Sequence, residues 1–226
     1  MSTDTSLPDT PVPDDPTTSF SIQIREATAT AHRTAERSAY LAALVGGSLP
    51  LRDYGRLIAQ HHAVYEALEG GNDAMRADPA AGPFVDDAVV RLPALERDLV
   101  AVLGTSWPEA AEVALVPATV EYCDRLREVR SAWPGGWVAH QYVRYLGDLS
   151  GGLFIRRAIE TNYSIDETSG TAFYDFPKVP DPAAWKDAYR ARLDDAPWDA
   201  AERARIIDEI LAAYDWNTRL LEELGG

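Results

Sequence analysis

Apolar residues recur every three or four positions along most of this chain, the spacing that lays one apolar stripe along a helix. Phe20, Ile24, Ala27, Ala31 and Ala35 trace the first stripe. A second follows Pro50, through Leu51, Tyr54, Leu57, Ile58, His61, Tyr65 and Leu68, and is interrupted near Gly70-Gly71. A third is expected through Val85, Val89, Leu92, Leu95, Leu99 and Val102, closed by Gly104 as a C-terminal cap. Pro117 opens a fourth, through Val120, Cys123, Leu126 and Val129 to about Ser131. Pro134-Gly135-Gly136 reads as a break before a helix running roughly from Trp137 to Thr161. Residues 162–180 read as a loop tethered by Phe173, Tyr174 and Phe176. Asp181-Pro182 then supplies an N-cap and a first-turn proline for a helix carrying Trp185, Lys186, Tyr189, Arg190 and Leu193. Asp199 with Glu202 resembles a capping box, and opens a last helix through Ile206, Ile210, Tyr214, Asn217 and Leu221. No stretch alternates as a strand does, so the expected class is all-α, a single-domain bundle of several helices.

One helix breaks the local rules. Between Ala139 and Gly152 it carries Gly147, Gly151 and Gly152, each costing roughly 1 kcal/mol relative to alanine inside a helix. Gly147 and Gly151 are four apart and share a face, leaving a strip of bare backbone. Small-residue packing against another helix accounts for a lone pair of this kind. A third glycine, Asp148, and the flanking Tyr142, Arg144 and Tyr145 favour a flat ligand lying on the helix instead.

Composition narrows the class. The 226 residues are 46% hydrophobic and 25% charged, as in a globular domain with a real core. A net charge of −15 argues against nucleic acid or an anionic membrane as partner. Residues 1–18 hold four prolines, four aspartates and no base, and read as a disordered acidic tail before a domain over 19–226. The single cysteine, Cys123, allows no internal disulfide and suits a reducing cytoplasm; it is expected as core filler. No apolar run is long enough to span a bilayer. A carboxylate di-iron bundle, a phosphate-binding loop, a zinc protease helix and a serine nucleophile elbow all lack their motifs here.

Four histidines remain as candidate ligands. His61 and His62 are adjacent and point about 100° apart, so they cannot share one face. His140, two turns before Gly147, reads as structural. His32 differs: alanines surround it, which lets a large planar group approach, and Glu36 one turn on can support its Nδ1.

Read together, these residues carry a resemblance. The run from Tyr142 to Gly152, YVRYLGDLSGG, preceded by Ala139-His140, resembles the signature of haem (heme) oxygenases. Arg25-Glu26-Ala27-Thr28 through His32 and Glu36 is similar to that family's proximal-histidine helix. Val64 to Glu69, Leu95 to Leu99, Phe173 to Pro177, Trp185-Lys186, Tyr189-Arg190 and Asn217 to Leu224 follow in the family's order. The likeness covers about residues 20–224.

The resemblance implies a fold with haem between the first helix and a glycine-kinked distal helix. It implies oxidative cleavage of haem b, at once cofactor and substrate, to biliverdin, ferrous iron and carbon monoxide, using O2 and supplied electrons. His32 is then the proximal iron ligand. Gly147 and Gly151 let the distal backbone lie close, and Asp148 orders a water chain that delivers a proton. Tyr65, Arg144 and Asn217 match the same distal network. Arg25, Lys186 and Arg190, with Tyr142, match the partners of the haem propionates, and Gly152 belongs to the same haem-facing glycine group. Two departures stand out: Ala29, where animal members usually have lysine, and Leu153, where a glutamine is common. Ala29 leaves the propionate clamp one charge weaker and opens the question of which meso carbon is attacked. The absence of a C-terminal anchor after Gly226 suggests a soluble bacterial member, a cytoplasmic monomer that serves iron acquisition from haem. Its electrons are expected from a ferredoxin with its reductase, or from a flavin reductase. Arg125, Arg127, Arg130, Arg156 and Arg157 are candidates for a basic docking patch in an otherwise acidic body.

Overall fold

The computed structural model describes residues 18–165 and 170–226; the acidic tail expected over 1–18 lies outside them except for Thr18. Nine α-helices carry the described chain: α1 (Phe20–Ala35), α2 (Ala39–Val45), α3 (Leu51–Glu69), α4 (Asn72–Arg76), α5 (Leu92–Leu103), α6 (Pro117–Ala132), α7 (Pro134–Tyr163), α8 (Pro182–Asp195) and α9 (Ala200–Gly225). The remaining regular structure is short 3-10 turns, and no strand forms among the described residues.

The helices pack as the stripes require. α3 packs against α5 and α6, while α9 packs against α1, α6 and α7. Trp137, Tyr54, Tyr65, Tyr122, Tyr145 and Tyr189 are fully buried at the centre. A buried hydroxyl or indole N–H is costly without a partner, and all of these but Tyr122 have one. Trp137 donates from Nε1 to the Leu68 carbonyl at 3.0 Å, tying α7 to the end of α3. Tyr145 donates to Glu69 at 3.1 Å. Cys123 is buried in the core, and burial pushes its thiol up to about 11, so it stays protonated.

Two boundaries and two short helices differ from the sequence expectation. The third helix begins at Leu92, not Val85, because the preceding residues are diverted into turns. Asp86 accepts from the Ala88 N–H, and Glu69 caps the start of α5 by accepting from the backbone N–H groups of Arg91 (2.6 Å) and Leu92 (3.1 Å). The expected break at Pro134-Gly135-Gly136 is the first turn of α7, since proline at the first helical position costs no hydrogen bond. Gly136 is needed there for room: a Cβ would stand 2.3 Å from the Trp133 ring. The helix then runs unbroken through Gly147, Gly151 and Gly152 to Tyr163. Finally two short helices were not expected: α2, seven residues opened by Ser38 accepting from the Leu41 N–H, and the five-residue α4.

The segment 170–179 is a loop as expected, and it is firmly pinned. Buried Asp98 accepts from the backbone N–H groups of Gly170, Ala172 and Phe173 at 2.7–3.2 Å. Tyr54 donates to the Gly170 carbonyl at 2.8 Å. Phe173, Tyr174 and Phe176 are thereby buried as tethers.

Candidate functional site

Five helices surround a cavity of about 730 Å³, within the size range of small-molecule sites. α1 contributes His32, with Glu36 at its C-cap, α2 contributes Leu41 and Val45, and α3 contributes Leu57 and His61. α7 contributes one face, with Val143, Arg144, Gly147, Asp148, Ser150, Gly151, Phe154 and Ile155, and α9 contributes Tyr214 and Asn217.

His32 keeps about half of its side chain uncovered, 49%, in a residue that has helices α2 and α9 nearby. Glu36 Oε1 lies 3.5 Å from His32 Nδ1. Tyr214 meets the imidazole edge-on, with ring centroids 5.8 Å apart. The ring is therefore held from two sides by its Nδ1 edge and its face, and its Nε2 makes no hydrogen bond among the described residues.

The glycines of α7 divide into two kinds. A Cβ on Gly147 or on Gly151 would meet nothing within 4 Å, so no other helix packs on them. Both line the cavity. Helix-on-helix packing through small residues is thus excluded for this pair, and the bare backbone faces open space. Gly152 is different: it is buried, does not line the cavity, and its Cβ would stand 3.1 Å from Tyr174 Cδ1. It makes room for Tyr174, unlike Gly147 and Gly151, whose bare backbone meets the cavity.

Behind the bare face lies a polar network. The Tyr65 hydroxyl donates to Asp148 Oδ2 in a short hydrogen bond. Arg144 donates from Nη1 to Asn217 Oδ1 at 2.7 Å, and its guanidinium lies over the Tyr65 ring at 5.0 Å. Burial pushes the Asp148 carboxyl above its ordinary range, while Arg144, the Tyr65 hydrogen bond and Arg91 pull it back. Burial works against the Arg144 charge, yet Tyr65 and Asp148 more than compensate and keep it protonated. Tyr65 itself is fully buried and lies behind the cavity wall, not on it.

His61 was not among the expected site residues, and it belongs there. It lines the cavity, stacks on Phe173 at 5.3 Å, and its Nδ1 lies 3.1 Å from Arg144 Nη2. The signal was its position on the stripe of α3, one turn before Tyr65. Its neighbour His62 packs on Trp107 instead, and His140 is sealed in the core with Nε2 2.8 Å from Glu209. Both are structural.

The cations at the edge come from α1 and α8. Lys186 donates from Nζ to Ser150 Oγ at 2.9 Å, and Ser150 lines the cavity. Arg190 pairs with Asp187 at 2.7 Å on the exposed side of α8. Burial raises the Tyr142 phenol, and Arg190 and Arg25 act against that rise, which places both charges near Tyr142. None of Arg25, Tyr142, Lys186 and Arg190 lines the cavity wall itself. Ala29 leaves no further cation on α1 at that level, and Leu153 points outward, 54% exposed. Of the arginines considered for docking, Arg125 pairs with Glu209 and Glu128, Arg127 with Asp124 and Arg156 with Glu160. Arg130 donates to the Ala67 carbonyl. Four of the five are thus engaged within the chain.

Such a site suits a flat, largely apolar ligand with an anionic edge. Its walls include Leu57, Val143, Phe154 and Leu220, one histidine is left uncovered, and two glycines leave space where a side chain would stand. A porphyrin with a histidine-ligated metal fits these features.

Comparisons with known proteins agree with that geometry. Residues 18–223 match the family described as heme oxygenase. Heme oxygenase 1 of the cyanobacterium Nostoc is 34% identical over 204 residues, covering 90% of this chain and 85% of that protein. Heme oxygenase 1 of the rat is 32% identical and covers 89% of this chain and 70% of its own. Among solved structures, heme oxygenase-1 of Synechocystis in complex with heme superposes with a TM-score of 0.85 at 32% identity, covering 92% of both chains. Heme oxygenase from Leptospira interrogans gives 0.84 at 30% identity, covering 91% of this chain and 100% of that one.

Proposed function

This chain belongs to the haem oxygenase family, and we propose which of its residues carry the family's reaction and how. The reaction is the oxidative opening of haem to biliverdin with O2 and electrons from a reductant. When bound, haem supplies the iron that activates oxygen and the meso carbon that is attacked. Binding, orientation and the handling of protons must come from the chain.

His32 is the residue that would hold the iron, through the Nε2 left free of other partners. Glu36 at Nδ1 keeps the proton on that nitrogen and so leaves Nε2 as the donor atom. A neutral imidazole is a milder ligand than a thiolate and suits oxygen binding. Gly147 and Gly151 let the backbone of α7 approach the flat ligand as closely as van der Waals contact allows, which any Cβ would prevent.

Asp148 holds the proton side of the chemistry. Its Oδ2 accepts from the Tyr65 hydroxyl, which leaves Oδ1 for a solvent molecule in the cavity. A carboxylate raised by burial gives and takes a proton more readily near neutral pH than an exposed one. Arg144, held by Asn217, balances the carboxylate charge and fixes the network against α9. Arg25, Lys186 and Arg190, with the Tyr142 hydroxyl, would receive the two propionates at the edge of the site. The clamp is looser than it would be with a further lysine at Ala29, which leaves the choice of meso carbon to the remaining contacts.

The observation that carries this reading is the pairing, on one cavity, of an uncovered histidine with two glycines whose Cβ positions are empty. A haem-storage protein needs the histidine but has no use for the buried Tyr65–Asp148–Arg144 network. No described helix is long and apolar enough to cross a membrane. We assign the protein to the cytoplasm as a monomer that releases iron from haem and takes electrons from a ferredoxin or a flavin reductase. The test is to add haemin, a reductase system and O2 and follow the spectrum. Replacement of the Soret band by biliverdin absorption is expected; a Soret band stable with several electron donors refutes the assignment.

A further inference from the structure

His61 is a titratable group of the cavity that the roles above leave unused. Its two ring nitrogens face different surroundings, and the arrangement fixes which one carries a proton. Arg144 can only donate, because a guanidinium has five N–H donors and no acceptor. Its Nη2 lies 3.1 Å from His61 Nδ1, so Nδ1 is the bare, accepting nitrogen and Nε2 bears the hydrogen. Burial, and then the Arg144 charge, drives the His61 pKa well below its ordinary value, which keeps the ring neutral and this tautomer in place. Phe173 stacks on the ring at 5.3 Å and 29°, and Phe173 is itself anchored through its N–H to Asp98, so packing supports this orientation.

Nε2 has no hydrogen-bond partner among the described residues. Yet it is not sealed in the core, unlike His62 Nε2 and His140 Nδ1, which are buried without partners. The residue lines the same cavity as Asp148, Gly147 and Asn217. A fixed N–H donor therefore meets the space in which the Asp148 solvent must sit. We propose that His61 is a positioning residue of the haem reaction, which holds the distal solvent through Nε2–H while Asp148 holds it from the acceptor side. Solvent gripped by a donor and an acceptor together has a defined orientation; a carboxylate alone leaves its free hydrogens undirected. The role rests on the haem-oxygenase reading of this cavity.

Three replacements separate the functions of the two nitrogens. His61→Leu removes both. His61→Asn can still accept from Arg144 at the Nδ1 position, whereas His61→Gln reaches with its amide N–H toward the Nε2 position. The readout is the acid–alkaline optical transition of the ferric haem complex, which reports hydrogen bonding to the distal solvent rather than turnover. Loss of a donor to that solvent disfavours the alkaline form, so His61→Leu raises the midpoint by about half a pH unit or more. His61→Gln returns it toward the wild-type value and His61→Asn does not. If His61→Leu folds poorly, the separation between the Gln and Asn variants decides the matter. In the haem-free protein, nitrogen-15 NMR should show a neutral His61 protonated at Nε2 across pH 5.5–8.

An unmoved midpoint in His61→Leu, equal restoration by Asn and Gln, or an Nδ1–H tautomer overturns the role of His61 alone. A wild-type ferric spectrum that is low-spin and becomes high-spin in His61→Leu also overturns it, because the imidazole would then bind iron. Failure of the wild-type protein to bind haemin overturns the underlying reading and this role with it.

Discussion

Replacing Gly147 and Gly151 with alanine should strengthen the haem-free protein while crippling the enzyme. Both residues sit inside α7, where glycine costs 0.8–1.0 kcal/mol relative to alanine, so about 1–2 kcal/mol is available from the pair. The gain is collected only if the new methyl groups meet no obstacle, and neither Cβ position has an atom within 4 Å. For a domain of this size that corresponds to a rise in Tm of roughly 2–8 °C. The same two methyl groups stand in the space assigned to haem and its distal solvent, so biliverdin formation should fall by about tenfold or more, the equivalent of 1.4 kcal/mol. Calorimetry on the haem-free double variant reads the first quantity and single-turnover spectra read the second. Gly136→Ala on the same helix is the contrast: its Cβ would lie 2.3 Å from Trp133, and the melting temperature should drop. A double variant that melts lower than wild type would mean that these glycines pack against protein. One that melts higher but still makes biliverdin at the wild-type rate would mean that the space is not used by the ligand.

Three further outcomes follow from other parts of the structure. Asp148→Ala should bind haemin normally yet lose about a hundredfold in biliverdin formation, the usual weight of a positioned proton-transfer group, and an unchanged yield would remove Asp148 from the proton path. Asp98→Ala strips three backbone N–H groups of their acceptor and should cost about 3–4 kcal/mol in urea unfolding, with faster hydrogen exchange at Gly170, Ala172 and Phe173; exchange unchanged at those amides contradicts the pinning role. Glu209 is subject to burial, but hydrogen bonds from Arg125 and His140 bring its pKa down to about 2, below the ordinary 4.5. A depressed carboxylate stabilises the fold above its unfolded pKa and loses that stabilisation as pH falls, so the window is pH 4.5 down to 2. The stability of Glu209→Gln should fall less steeply than wild type across that window, and parallel profiles would refute the pairing.

How much of this could be read from the sequence depended on whether spacing alone decides. Long amphipathic stripes gave α1, α3, α6 and α9 because many residues repeat one period. The seven-residue α2 and five-residue α4 escaped, being too short to establish a period. The start of α5 was misplaced because Val85 and Val89 keep the helical spacing while Asp86 and Glu69 hold the backbone in turns and a cap. In the site, His32 and Glu36 were visible as an i, i+4 pair on a helix with small neighbours. The pair Gly151-Gly152 looked uniform in sequence, but one residue faces the cavity and the next faces Tyr174, a distinction that 100° of helical rotation makes and composition does not. The same rotation separates His61 from His62, and only the path of α3 past Arg144 shows which of the two reaches the cavity. The arginines suggested for docking illustrate the converse: charge is plain in a sequence, but its neutralisation by Glu209, Asp124 and Glu160 is a matter of packing.

We propose that His32 and the bare face of α7 share one haem, which the reaction consumes. Single-turnover cleavage tests it most directly, with wild type and His32→Ala loaded with haemin, reduced under O2, and assayed together for biliverdin and carbon monoxide. One equivalent of each product per bound haem is expected in the wild type. Little of either is expected in His32→Ala, with the histidine-ligated ferric spectrum lost and then regained on adding imidazole. Equal product from both proteins, or a wild-type complex that keeps its haem intact, would contradict it.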